Sequence, residues 1–372
     1  MNNYWIYYWA KLRQDEVIRI PLKYNIHSDF TYQANEYDVQ NAFEEINALY
    51  KQIYGDIAEN PAEFGMPLHL KEQNRVFSQQ WRETGLAPFR PFVLLYNLFV
   101  HGKINNTPKY HAAYLVVDGY IRNADKLFNK LTDYGFTFEG LKNNKPTADE
   151  IIISYPDNPL VLTIWKALAE KTKNVCTYSN AGYPQIGDFL FCNFRLLQDG
   201  FDERNYGDYE CFYDNVSTEE EKAFICEMDK TIIDMGLFRI AYGGVEGAGL
   251  AYYRNKKSTT KDPYTFRIIL RDFDDMFNFN SPNKMRISLR IRNADNCLEY
   301  LESCPDSVKQ IFEKTDKGCK KRIEKSCIHG INYKLNGKEY WRCGCCHTSF
   351  YFYPKIEDIT HYIKLVELGE KK

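Results

Sequence analysis

Long apolar runs are missing from this chain. The longest, Pro91–Val100, falls well short of the ~20 residues that cross a bilayer, so no membrane partner is expected. The opening Met-Asn-Asn-Tyr-Trp has neither a basic flank nor a small-residue cleavage pattern, which argues against a secretory leader. Net charge is nearly absent too. With 48 basic and 50 acidic residues, the −2 balance gives the molecule as a whole no field for nucleic acid or membrane. Also missing are G-x-S-x-G, H-E-x-x-H and the Walker A loop, and with them the local signatures of hydrolases, zinc proteases and P-loop enzymes. An enzyme is not thereby excluded, because catalytic groups assemble from distant positions. These absences leave the expectation of a soluble, cytoplasmic protein.

What is present is an ordinary globular composition, 44% hydrophobic and 26% charged. At 372 residues there is room for two or three domains with their own cores. Aromatics are abundant, with 29 tyrosines and 24 phenylalanines. They are spread along the whole chain, which fits a coding bias better than a dedicated stacking surface. The 11 cysteines are an odd count without framework spacing before residue 297, which suits free thiols rather than disulfides.

Apolar periodicity places the elements. Val39, Phe43, Ile46, Leu49 and Ile53 recur at three- and four-residue steps and predict a helix over Asp38–Tyr54. Further helices are expected near 91–101, 123–134, 160–173, 218–235, 293–301, 306–314 and 357–368. Strands are expected at Trp5–Trp9, Val17–Ile20, Ala112–Asp118, Ile151–Tyr155, Asp188–Leu197, Leu237–Tyr242, Leu250–Arg254, Thr265–Arg271 and Arg286–Ile291. Ile121-Arg122-Asn123-Ala124-Asp125 recurs identically at 291–295. The likeness stops at the following helix, which favours two independent helix starts over a duplicated unit.

The densest chemistry lies between Cys319 and His347, which hold five of the cysteines and two of the seven histidines. Ile331–Leu335 and Lys338–Arg342 flank Asn336-Gly337, the pair that tolerates a type I′ turn. Such a hairpin brings the cysteines before and after it together. Cys343-Gly344-Cys345-Cys346 after a hairpin is laid out like a zinc-ribbon knuckle and similar to one over about 15 residues. The upstream half departs from that pattern, since Cys319 and Cys327 are eight residues apart. The ligands expected are Cys319, Cys327, Cys343 and Cys346, with His329, Cys345 and His347 as competitors. A redox C-x-x-C is the weaker reading, because that motif opens a helix, whereas Phe350–Tyr353 reads as a strand.

Around the cluster the charge turns basic. Residues 311–347 hold nine Lys or Arg against four acids, net +5, with Tyr333, Tyr340 and Trp341 interleaved. This is a possible nucleic-acid surface, set against a solvated face that also steadies metal-bound thiolates. Gly243–Gly249 joins two strands and so lacks the helix N-terminus of a phosphate loop. Tyr242, Glu246, Tyr252 and Arg254 there are the candidate wall of a small-molecule pocket. Asp272, Asp274 and Asp275 with Asn278 and Asn280 offer oxygen ligands, but their spacing does not fit an EF-hand.

The expected architecture is α+β: two mixed α/β or α+β domains and a small cysteine-rich, zinc-stapled module. Their bounds are 1–180, 181–310 and 311–372. The expected function is a ligand-binding or interaction protein with a structural zinc. The alternatives are an enzyme with Glu246 as acid or base in an inter-domain cleft, and nucleic-acid binding through the basic module.

Overall fold

A computed structural model describes residues 4–18, 20, 24–28, 34–67, 85–101, 103–105, 107–111, 123–142, 145–146, 150–174, 178–180, 186–200, 218–243, 249–255, 265–272, 284–290, 295–313, 331–342 and 349–370. The chain mixes helix and sheet, as an α+β protein does. It divides into two compact units, residues 1–203 with 243–245, and residues 204–242 with 246–372.

The first unit is built on α1 (Tyr4–Glu16), α2 (Glu36–Glu59), α3 (Arg90–His101), α4 (Ala124–Asp133) and α5 (Pro159–Asn174). Its strands β1 (Lys103–Asn105), β2 (Thr107–His111), β3 (Thr137–Glu139) and β4 (Glu150–Ser154) form an antiparallel sheet in the order β1-β2-β4-β3. On α2 the expected stripe is buried, and Asn35 caps the start by accepting from the Asp38 N–H. Tyr50 on that stripe stacks on Phe92 at 4.1 Å, accepts from Trp165 Nε1 at 3.0 Å and donates to the Phe189 carbonyl. A buried hydroxyl that both accepts and donates holds three elements at once without an orphaned polar atom.

Two expected strands of this unit are helical. Trp5–Trp9 lies within α1, where Ile6, Trp9, Arg13 and Glu16 are buried at steps of three and four. Aromatics favour strands only weakly, and packing overrides that preference. Asp188–Leu197 is a single helical turn and a 3₁₀ segment around Cys192, which stands at φ 54°. A short continuous apolar run does not distinguish a buried strand from a buried turn. Val17–Ile20 forms no strand at its described positions. Ala112–Asp118 lies outside the described residues.

In the second unit α6 (Glu219–Asp234) opens on Thr218 with a full capping box to Glu221. Then come β5 (Phe238–Gly243), β6 (Gly249–Tyr253), β7 (Phe266–Asp272) and β8 (Lys284–Arg290). They are followed by α7 (Asp295–Ser303), α8 (Asp306–Glu313), β9 (Ile331–Leu335), β10 (Lys338–Arg342), β11 (Ser349–Phe352) and α9 (Ile359–Glu370). Five of these strands lie antiparallel in the order β11-β8-β7-β6-β5. One sheet face carries Tyr252, Phe266, Ile268, Ile287, Leu289, Phe350 and Phe352, all buried. Helices cover that face: Phe352 meets Tyr362 of α9 at 5.0 Å, and Phe350 meets Phe312 of α8 at 4.4 Å. Through β11 and α9, residues after 311 belong to this sheet and its helix layer, beside a hairpin of their own.

Candidate functional site

The hairpin forms with the expected boundaries. Asn336 and Gly337 stand at φ 50° and 77°, the left-handed pair a type I′ turn requires. Pairing runs from Leu335↔Lys338 at the turn to Ile331↔Arg342 at the open end. Alternation then sorts the side chains. Tyr333 and Leu335 are buried while Asn332 and Lys334 are exposed. The Tyr333 hydroxyl donates to the Phe312 carbonyl, its ring meets Phe350 at 6.2 Å, and Asn336 Nδ2 donates to Glu313 at 2.9 Å. The hairpin is thus fastened to α8 and β11. The expected ligands Cys319, Cys327, Cys343 and Cys346, and their competitors, lie outside the described residues. Among the described residues no three metal-ligating side chains converge.

Of the four expected pocket-wall residues, Glu246 lies outside the described residues and Tyr242 is described only as a position on β5. Tyr252 and Arg254 serve the fold. Tyr252 is fully buried and donates its hydroxyl to Asp229 Oδ1 at 2.7 Å. The other Asp229 oxygen takes the Arg239 guanidinium. Burial pushes the Asp229 carboxyl up, while Arg239 and the Tyr252 hydroxyl pull it back. Arg254 pairs with Glu370 on α9, whose second oxygen accepts from Thr265 Oγ1 at 3.0 Å. The sequence reading missed Asp229, though one signal could have found it. It sits among Phe224, Ile225, Met228 and Ile232 on the buried stripe of α6, and a carboxylate there needs a buried partner.

A second group had no sequence signal. His361 Nδ1 meets the Tyr300 hydroxyl at 2.8 Å and Cys304 Sγ at 3.7 Å. It joins α9 to the end of α7. Burial pushes the Cys304 thiol up, with Tyr300 and Lys309 pulling it down and Asp358 pushing it further up. A thiol held protonated is a poor nucleophile, so the group serves as a clasp between helices. Cys192 and Cys297, both buried, are pushed up to about 12. No protein-family model, no curated protein and no solved structure matches the chain.

Proposed function

We propose that the chain is a binding protein whose carboxy-terminal hairpin is stapled by one structural zinc through Cys319, Cys327, Cys343 and Cys346. The carrying observation is the pairing of Ile331 with Arg342. The chain enters and leaves the hairpin side by side. Cys327, four residues before Ile331, and Cys343, the residue after Arg342, therefore belong to segments that start from one point. Zinc held by four thiolates has a closed shell, and such sites add folding energy rather than catalysis. The surrounding lysines and arginines offset the charge of the thiolates, and free thiols suit a reducing, cytoplasmic compartment. Binding is favoured over catalysis because Tyr252 and Arg254, the partners expected for Glu246, are engaged with Asp229 and Glu370.

Elemental analysis of the purified full-length chain tests the staple. About one zinc per chain is expected, since a closed structural site holds one ion. Cys343→Ser should lose it and open the segments flanking the hairpin to proteases. A folded, metal-free chain with four freely titratable thiols at 319, 327, 343 and 346 overturns the reading.

A further inference from the structure

The β9–β10 hairpin packs on the second unit where its sheet ends. Tyr333 and Leu335 on the inner side of the hairpin are buried. Tyr333 stacks on Tyr340 across the ladder, with ring centres 5.5 Å apart. Its hydroxyl donates to the Phe312 carbonyl, one of the last four of α8, which a helix leaves without a partner of its own. Tyr333 thus finishes the helix. Phe350 of β11 lies against both rings, 4.4 Å from Phe312 and 6.2 Å from Tyr333. β11 is the end strand of the sheet, laddered to β8 over Ser349–Phe352.

The same two elements flank the hairpin in the chain. α8 leads into β9 through residues 314–330, which hold Cys319 and Cys327. β10 leads into β11 through residues 343–348, which hold Cys343 and Cys346. We propose, on the reading that these four cysteines hold zinc, that the metal governs the edge of the sheet as well as the hairpin. The last turn of α8 and the strand β11 stay docked while the hairpin is stapled and come loose when the zinc leaves. A two-stranded hairpin by itself is marginal in water, so β9 and β10 depend on the staple and on their packing to stay paired. The packing is a narrow hold: one buried tyrosine, one buried leucine and the exposed bond from Asn336 to Glu313. Once the ladder opens, the Tyr333 hydroxyl leaves Phe312 and Phe350 loses one of the two rings against it. β11 has only four residues, and short segments at the edge of a unit open before its centre does. Its release uncovers Ile287 and Leu289 on β8, the cross-strand neighbours of Phe352 and Phe350. β5 and β6 lie at the far side of the sheet and keep their pairing. The fold thereby turns a structural metal into a switch on one sheet edge.

Hydrogen exchange of the full-length chain tests it, read beside elemental analysis of the same sample. After a chelator has removed the zinc, peptides from 331–342, from β11 and from the last turn of α8 should all exchange at least about tenfold faster. Added zinc should restore them. Peptides from β5, β6 and α2 should not change. Tyr333→Phe with its zinc retained loses one hydrogen bond to a buried carbonyl, which should speed β11 and the last turn of α8 about tenfold. A rise confined to 331–342 on zinc removal overturns the proposal and leaves the staple standing. So does a rise of equal size in β5 and β6, which would make the metal a support of the whole unit. Unchanged exchange in zinc-loaded Tyr333→Phe overturns it as well. A purified chain that holds no zinc overturns the staple and this proposal together.

Discussion

Asp229→Ala should cost the second unit about 4 kcal/mol, most of it through the charge left behind. Asp229 is 0% exposed and Arg239 6%, so removing the carboxylate strands a guanidinium away from water. Breaking a buried pair from one side costs about 3–5 kcal/mol. Arg239 has further contacts, which place the loss near about 3. The buried Tyr252 hydroxyl loses its acceptor as well, adding about 1. Tyr252→Phe alone leaves the pair intact and should cost about 1.5 kcal/mol. Asp229→Leu with Arg239→Met removes both charges and should recover most of the loss, because an apolar pair of similar size replaces them. Hydrogen exchange of peptides from α6, β5 and β6 reads the effect locally. About 4 kcal/mol corresponds to exchange roughly a thousandfold faster when those amides exchange through opening of the unit. If Asp229→Ala costs less than about 1 kcal/mol, or the double variant is no better than the single, the triad does not organise this unit.

Two further outcomes follow from backbone conformation and buried thiols. Gly337→Ala meets no atom within 4 Å, so its cost is conformational alone, about 1 kcal/mol for a side chain at φ 77°. Thermal melting should show it, and an unchanged midpoint would mean the hairpin does not melt with its unit. Cys192 ionises near 9 when unfolded and near 12 when buried, so the native state holds its proton longer. Below pH 9 it contributes no pH dependence, and between about 9 and 12 the native state loses stability as pH rises. Urea midpoints should fall more from pH 8 to pH 10.5 in the parent chain than in Cys192→Ala. Equal falls would show that the thiol is not shielded.

Strongly periodic or capped stretches were legible as elements. The α2 stripe, the Thr218 capping box and the Asn336-Gly337 turn each carry their signal within a few residues, and each formed where its signal lay. Trp5–Trp9 and Asp188–Leu197 carry no such local signal. Every side chain from Asp188 to Leu197 is buried, and full coverage erases the period that separates helix from strand. In Trp5–Trp9 all five residues are aromatic or aliphatic, even Tyr7 at 42% exposure, so the helical period does not show. Tyr54, whose hydroxyl reaches the Leu190 carbonyl at 2.8 Å, helps decide the matter at Asp188–Leu197 from 136 positions away.

The same distinction between local and distant information governs the sites. Alternation in Arg286-Ile287-Ser288-Leu289-Arg290 was readable as one polar side of a strand, but not what that side would face. Strand order supplies the answer. Because β11 lies against β8, and β7 against the other edge of β8, Tyr351 comes within reach of arginines 65 and 84 positions earlier. Tyr252 and Arg254 show the converse. Their alternate spacing with Glu246 suggested a shared pocket, yet Tyr252 turns to α6 and Arg254 to α9, because each finds a carboxylate there. Spacing along a strand fixes which face a side chain takes; only the neighbouring elements fix whether that face offers water, a ligand or a buried counter-charge.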